Sequence, residues 1–438
     1  MSTDNTEGRG GELAARAAAI DLVASALDHR GGLEEAMERA PFSRLELRDR
    51  GLARMIAMTL LRRLGAIDRL LQARLKKEPP HAVIMLLRIG VAQALYLDVP
   101  AFAAVDTTVR LAERDRSTRP FKGLINAVLR GLLRKPPAAE QDPEHLLPDW
   151  LFARWRAAYG EAAARQIAAV IVEEPATDVT PRDPNDTTLA GDLEATALPG
   201  GSLRVGQRGD VTAWPGYAEG RWWVQDAAAA VPARLLRLEA GRSALDLCAA
   251  PGGKALQMAA AGAQVVALDR SGPRLRRLRL ALERTGLSAE VVTADAAAWS
   301  DPRVFDAVLL DAPCSATGTF RRNPDVLWGA KASDIAKLAG VQARLLDAAA
   351  ARVAPGGRLV YCVCSLEPEE GEGQVEAFLK RHTDFRLDPV APGEGGSPEA
   401  AATKAGWLRI LPHQTDGGLD GFFAARLVRD ASPADAAG

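Results

Sequence analysis

The chain of 438 residues is poor in cysteine, has no long apolar run and carries almost no net charge. Four cysteines in a chain of this length do not make a disulfide framework. Cys362 and Cys364 are spaced Cys-x-Cys, and no second Cys/His pair stands at zinc spacing, so no metal is expected. Reduced, cytosolic thiols are the natural reading. No apolar stretch approaches the ~18 residues needed to span a membrane. Met1 to Gly11 is polar and acidic, without the apolar core of an export signal. The expectation is a soluble, cytoplasmic protein with no membrane partner. No internal repeat is evident. No Gly-x-Gly-x-x-Gly turn follows a strand, which speaks against a dinucleotide-dependent dehydrogenase.

What is present is an ordinary globular composition, 47% hydrophobic and 25% charged, in a chain long enough for two or three domains. The net charge of −1 hides an uneven spread: Arg44 to Lys135 holds 19 Lys and Arg against 8 Asp and Glu, a net of +11. Solvated helix faces account for such an excess, and so does a polyanionic partner. From Leu13 to Leu133 apolar residues recur at spacings of three and four, as in Ile20, Val23 and Leu27, which predicts a helical bundle. The run from Ala82 to Tyr96 is apolar on nearly every face and reads as a central buried helix, bounded by Pro79-Pro80 and Pro100. Residues 1–10 and the end from about Asp430 read as disordered tails.

Pro136-Pro137 to Pro148 is a connector, and residues 151–174 read as one or two helices. Residues 176–226 hold short strand-like pieces, such as 177–180 and 220–224, broken by Gly, Pro and Asp. From Ser243 the pattern alternates. Strands are expected at 244–247, 264–268, 290–293, 307–310 and 358–362, with helices at 255–261, 273–285, 333–353 and 372–381. Residues 422–427 read as a final edge strand. The fold expected is multidomain: an all-α N-terminal bundle (11–135), a small α+β connector module (145–235) and a C-terminal α/β, Rossmann-like domain (236–430). Ligands of such sheets bind beyond the carboxyl ends of the strands.

The motifs fall at those ends. Asp246-Leu-Cys-Ala-Ala-Pro-Gly-Gly-Lys254 joins a strand to a helix, where glycines admit a ligand close to the backbone and free N–H groups face it. Asp269 ends the next strand and suits two ribose hydroxyls; Asp295, after the following strand, suits an adenine amino group or an ordinary helix cap. Three successive ends of this kind point to S-adenosylmethionine. Asp311-Ala-Pro-Cys314 ends the fourth strand, and Cys364 ends the fifth, so the two thiols flank one cleft. Buried cysteines are usually inert packing, the reading that suits Cys248 and Cys362. Cys314 and Cys364 instead run on into polar, charged loops. A thiolate adding to carbon 6 of a pyrimidine places electron density on carbon 5, which then attacks a methyl sulfonium. Asp311 suits the acid that this needs near N3 or O2. A base within a duplex is out of reach, so the target is unpaired or flipped out.

These residues resemble the NOL1/NOP2/Sun family of RNA (cytosine-5) methyltransferases, and most closely its bacterial 16S rRNA type with an N-terminal NusB-like domain. The stretch 246–254 resembles the family's cofactor motif. Asp311-Ala-Pro-Cys-Ser315, Gly318 and Arg321-Arg-Asn-Pro-Asp325 to Trp328 resemble its central motif. Tyr361-Cys-Val-Cys-Ser365 with Pro368-Glu-Glu370 resembles its nucleophile motif, and Asp420-Gly-Phe-Phe423 its closing strand. Ala104-Val-Asp106 and residues 122–130 resemble NusB-like RNA-binding helices. The resemblance implies that Cys364 is the nucleophile and that Cys314 acts in product release. It implies cofactor contacts at Cys248, Ala249, Ala250, Pro251, Gly252, Gly253, Lys254, Asp269, Asp295 and Asp311. Val363, Ala255, Ala316 and Gly371 depart from the family's threonine, threonine, glycine and asparagine, and Cys362 is an additional thiol.

The partner implied is RNA, 16S rRNA before full assembly of the small subunit, met by a monomer. Arg321 and Arg322 are candidates to grip the target strand, and Trp328 is a candidate to stack on a base or to fill a core. Arg270, Arg274, Arg276, Arg277 and Arg279 read as solvated or RNA-facing. Methylation of tRNA or another RNA, a non-catalytic RNA-binding assembly factor and an amino-group methyltransferase remain as alternatives. The last needs no thiol and usually an Asn/Asp-Pro-Pro-aromatic loop in place of Asp311-Ala-Pro-Cys314.

Overall fold

A computed structural model describes residues 4–28, 32–136 and 142–431. The chain divides into two compact units, residues 1–173 with 323–330 and residues 174–322 with 331–438.

The first unit is helical throughout. Its helices are α1 (Asp4–Leu27), α2 (Gly32–Glu38), α3 (Leu47–Arg62), α4 (Leu64–Gln72), α5 (His81–Tyr96), α6 (Ala101–Arg114), α7 (Lys122–Arg134), α8 (Asp149–Tyr159) and α9 (Glu161–Ala169). Helix α1 begins at Asp4, inside the stretch read as a disordered tail; residues 1–3 and 432–438 lie outside the described residues, as do 137–141 of the connector. Helix α5 is the buried centre that its all-round apolar sequence predicts, with Val83, Leu87, Ile89 and Ala92 fully enclosed. A Cβ on Gly90 would stand 2.7 Å from Leu129, so glycine lets α5 and α7 approach closely. The last turns after α9 stay with this unit because arginines of α3 and its C-cap satisfy their carbonyls. Arg62 donates to Ile171 O at 3.0 Å and Glu173 O at 3.2 Å, and Arg63 to Val172 O at 3.3 Å. Part of the basic excess is therefore internal.

The second unit holds two sheets. Strands β1 (Thr177–Pro181), β2 (Ala195–Ala197), β3 (Leu203–Val205) and β4 (Trp222–Val224) form an antiparallel sheet in the order β2-β3-β1-β4, packed around Trp222 and Trp214. The main sheet contains β5 (Ser243–Leu247), β6 (Gln264–Asp269), β7 (Glu290–Thr293), β8 (Phe305–Asp311), β9 (Val353–Val363), β10 (Phe385–Leu387), β11 (Leu408–Ile410) and β12 (Phe422–Arg429). Its order is β10-β12-β9-β8-β5-β6-β7, with β11 also paired to β12. Strands β5 to β9 are parallel and β12 runs antiparallel to β9. The helices of this unit are α10 (Leu189–Asp192), α11 (Ala227–Leu235), α12 (Gly253–Ala260), α13 (Gly272–Thr285), α15 (Ala332–Ala350) and α16 (Glu372–Arg381); α14 (Asp325–Gly329) belongs to the helical unit. One apolar layer packs α11, α12 and α13 on the sheet, and the other packs α15 and α16.

Two expectations change. The segment from Phe422 is not an edge strand: β12 lies between β9 and β10, with Phe422 to Ala425 and Leu427 almost fully buried and Arg426 buried among them. Strand β9 starts five residues earlier than its expected Arg358, crossing Pro355-Gly356-Gly357 through a register shift against β8. Among the described residues no helix is long and apolar enough to cross a membrane.

Candidate active site

The chain runs outward from β5 through β6 to β7, then returns so that β8 lies on the other side of β5. The loops after β5 and β8 therefore diverge at the switch point, where parallel sheets open a crevice. The loop after β9 borders the same place.

The loop after β5 is bent tightly. Cys248 adopts a left-handed φ of 63°, and Ala249 N–H returns to Leu268 O at 2.9 Å. Asp269 is almost fully buried, and its carboxylate accepts Ala250 N–H at 3.1 Å and Ser271 N–H at 2.8 Å. Gly252 has φ 118°, and a Cβ there would strike Leu278 at 2.4 Å, so this glycine is required. Arg274, read as one of a solvated or RNA-facing cluster, holds the loop from α13 by donating to Ala250 O at 2.5 Å. Burial, with Asp311, Asp269 and Asp246 behind it, pushes the Cys248 thiol up to about 12, which makes it inert. Asp295 is exposed and accepts Ala297 N–H at 2.9 Å, capping its own turn.

Lys254, on α12, reaches Asp311 Oδ2 at 2.7 Å, and Cys362 Sγ stands 3.5 Å from Asp311 Oδ1. Burial by itself would lower the Lys254 ammonium; Asp311, then Cys362 and Asp246, outweigh it and hold the ammonium above the ordinary lysine range. Cys362 is fully buried, and burial followed by the charge of Asp311 raises its thiol well above the usual range. The additional thiol is thus a packed neighbour of the carboxylate.

Cys314 Sγ and Cys364 Sγ are 3.5 Å apart and both residues are partly exposed. Backbone bonds fix the three loops around them: Gly318 N–H donates to Cys364 O at 3.0 Å, and Gly421 N–H to Gly318 O at 2.8 Å. The hydrogen bond with Cys364, then burial, drives the Cys314 thiol well above its ordinary value. Below them Arg322 donates through Nε to Asp420 Oδ2 at 2.9 Å and through Nη2 to the same oxygen. Asp420 is fully buried, and burial raises its carboxyl to about 6 against the pull of Arg322.

Arg321, a candidate to grip RNA, is placed differently, and Trp328, a candidate to stack on a base or to fill a core, takes the second of these roles. Arg321 is 3% exposed and donates to Gly417 O, so it braces a loop and grips nothing outside. Trp328 packs into the core of the helical unit, and its indole N–H donates to Leu61 O at 3.0 Å. Base stacking is not its role. Sequence reasoning also missed Gln342, Ser315, Ser365 and Arg409, whose side chains tie the thiol loops together; ordinary polar types on loops and helices carry no signal by themselves. A Cβ on Gly371 would stand 2.4 Å from Arg409 Nη2, so the departure at that position makes room for this arginine, which donates to Ser365 O at 2.5 Å.

Residues 233–428 match the family described as 16S rRNA methyltransferase RsmB/F, and residues 13–134 match the NusB family. Ribosomal RNA small subunit methyltransferase B of Pseudomonas syringae pv. tomato is 37% identical over 441 residues, 95% of this chain and 97% of its own length. The chain belongs to the RsmB/F family of rRNA methyltransferases. The enzyme of that name from Sodalis glossinidius is similarly close, 37% identical over 95% of this chain and 98% of its own. The crystal structure of PH0851 superposes on 95% of this chain and 98% of its own with a TM-score of 0.75 at 24% identity, a likeness of fold. NSun6 from Pyrococcus horikoshii, solved with SFG, covers 65% of this chain and 99% of its own at a TM-score of 0.57 and 19% identity. RsmB/F proteins use S-adenosylmethionine, and this site fits a cationic cofactor. Asp246, Asp269, Asp295 and Asp311 lie at or just beyond the ends of β5, β6, β7 and β8. Both carboxyl oxygens of Asp246 are buried without a hydrogen-bond partner, and burial pushes that carboxyl well above the usual range although Lys254 pulls it down.

Proposed function

We propose that this rRNA methyltransferase methylates carbon 5 of a cytosine in 16S rRNA through a transient bond between Cys364 Sγ and carbon 6 of the base. The observation that carries the reading is the pair of thiols 3.5 Å apart beside the Lys254–Asp311 pair. Residues 248–254, with Asp269 and Asp295, hold the cofactor. Asp269 still has lone pairs for ribose hydroxyls beyond its two backbone donors. When bound, S-adenosylmethionine supplies an electrophilic methyl group to carbon 5.

Cys364 attacks carbon 6 as the thiolate, and the electron pair of the 5,6 double bond moves onto the ring. The Lys254–Asp311 pair faces the ring's N3 and O2 side and stabilises the charge that gathers there. After methylation a water molecule takes the carbon-5 proton, the electron pair of that C–H bond re-forms the double bond, and the carbon–sulfur bond breaks with Cys364 leaving as the thiolate. Cys314, alongside Cys364, serves that release. Arg322, held by Asp420, faces the strand carrying the target. The RNA is 16S rRNA before full small-subunit assembly, bound by a monomer. The reading is supported in the helical unit by Lys76 and Lys77, exposed at the edge of a largely apolar cleft of about 1010 Å³.

Wild type, Cys364→Ala and Cys314→Ala are incubated with 16S rRNA and labelled S-adenosylmethionine. The expected result is 5-methylcytidine from wild type, none from Cys364→Ala with cofactor binding intact, and a denaturation-resistant protein–RNA adduct from Cys314→Ala. A fully active Cys364→Ala protein would overturn the mechanism. Methylation confined to tRNA would move the substrate.

A further inference from the structure

Between the two thiol loops lies a buried carboxylate that the reaction above does not use. Glu370 is fully buried on the turn that follows Cys364. Its carboxylate takes Ser315 N–H at 2.9 Å, Ser315 Oγ at 2.5 Å, Ser365 Oγ at 2.5 Å and Gln342 Nε2 at 3.1 Å. Ser315 follows Cys314 and Ser365 follows Cys364, so one carboxylate holds the neighbour of each thiol. Gln342, on α15, also donates to Pro313 O at 3.0 Å, the residue before Cys314. Tyr361 on β9 fixes the same turn from below by donating its hydroxyl to Glu370 O at 2.5 Å.

A carboxylate has about four lone-pair sites, and here four donors fill them. Glu370 therefore has nothing left to offer a substrate, and it touches neither sulfur among the contacts described. Its effect is mechanical. Cys314 and Cys364 stand on two different strand ends, and the backbone between those ends is joined by Gly318 N–H to Cys364 O beyond Cys314. On the near side of Cys314, Ala312 N–H donates to Cys362 O at 3.0 Å, and between these two backbone ties the bonds to Glu370 and Gln342 hold the loop at Ser315 and Pro313. Loss of the Glu370 and Gln342 bonds frees the segment 313–317, and Cys314 with it, to shift away from Cys364 between two fixed ends. The negative charge of Glu370 adds to the Cys364 hydrogen bond and burial in keeping the proton on Cys314.

We propose that Glu370 is a positioning residue that clamps the Cys314 loop to the Cys364 loop and sets the sulfur–sulfur separation needed for product release. The proposal rests on the two-thiol reading above and deepens it. Attack by Cys364 needs only that thiol and the base, so first-turnover methyl transfer survives loss of the clamp. Release needs both sulfurs in contact, so it does not.

The test uses the full chain with Glu370→Ala, Glu370→Gln and the double variant Ser315→Ala/Ser365→Ala. The first readout needs no RNA. Diamide takes two electrons and two protons from Cys314 and Cys364 to give a disulfide and the reduced hydrazine, and the rate is read by peptide mass spectrometry. Glu370→Ala is expected to slow that reaction at least 10-fold. The second readout compares adduct with turnover on 16S rRNA. Glu370→Ala is expected to keep a first-turnover burst, to lose at least 10-fold in steady-state rate and to accumulate adduct. Glu370→Gln is expected to recover part of both, because its amide oxygen still accepts Ser315 N–H and its NH₂ donates to the two hydroxyls. Wild-type disulfide rate and wild-type adduct-to-turnover ratio in Glu370→Ala would overturn the clamp. Should Glu370→Ala lose cofactor binding through misfolding, the double serine variant decides on the same two readouts. Failure of the cytosine adduct reading shows separately, as methylation by Cys364→Ala, while the diamide rate still judges the clamp.

Discussion

Cys314 and Cys364 sit opposite each other because two small residues allow three loops to meet. A Cβ on Gly318 would stand 2.0 Å from Gly421 O and 3.0 Å from Cys364 O, so Gly318→Ala must push one of these loops aside. A displacement near 1 Å at reacting groups costs on the order of 10²-fold in rate, and Gly318→Ala should lose about that much methyl transfer while binding S-adenosylmethionine normally. Ala316 presents the reverse case. It stands in the left-handed region at φ 57°, which glycine adopts without strain. That conformation costs an L-residue roughly 1–2 kcal/mol. After allowing for the extra freedom of an unfolded glycine, Ala316→Gly should raise stability by about 0.5 kcal/mol in denaturant titration and leave the reaction intact. Asp420 sets a pH dependence. Its folded value of about 6 lies above its ordinary 3.8, so its contribution to stability is present below the lower value and is lost as pH rises through the upper one. From about pH 4 to about pH 6.5 the wild type should lose more stability than Asp420→Asn, seen as a larger fall in urea midpoint. Parallel curves would remove Asp420 as the cause.

Among the elements, α14 shows how a motif can be recognised and its role misjudged. Residues 321–328 look like part of a catalytic signature, and the arginines and tryptophan suggest contact with RNA. In the fold, Asp325 Oδ2 caps α2 through Leu33 N–H at 3.1 Å, and Trp328 enters the helical core. Trp328→Ala should lower stability by about 2 kcal/mol, less than the ~3–5 kcal/mol of a fully buried aromatic because Trp328 is partly exposed. Trp328→Phe should cost about 1 kcal/mol for the lost bond to Leu61 O. Unchanged unfolding with weakened RNA binding in Trp328→Ala would restore the stacking role. Strand β12 was legible as a strand from its β-rich apolar run, but its neighbours were not. An apolar run buried on both faces reads the same at an interior position as at a covered edge, and only pairing with β9 and β10 distinguishes them.

For the whole molecule, the basic stretch makes a prediction about ionic strength. Arg62 and Arg63 turn inward to backbone carbonyls, whereas Lys76 and Lys77 stay exposed beside the cleft. Each phosphate neutralised on a single strand contributes about −0.7 to the slope of log affinity against log salt. Lys76→Ala/Lys77→Ala should therefore flatten that slope by about 1 for 16S rRNA, measured by filter binding across a salt series. An unchanged slope would place the phosphate contacts elsewhere.

The sequence by itself determined the local choices. Periodicity marked the helices and the parallel strands, glycines marked the cofactor turn that leads to Lys254, and the positions of Cys314, Cys364 and Asp311 at strand ends marked the site. These depend on neighbours a few residues apart, which is the range over which pattern and propensity act. Only the tertiary structure decided which polar groups meet across that site. Ser315, Gln342 and Glu370 come together from a loop, a helix and a turn far apart in the chain, as Arg322 and Asp420 do. Likewise only folding assigned Arg321 and Trp328 to packing. Their chemistry fits a site or a core equally well, and burial, a property of the folded whole, makes the choice.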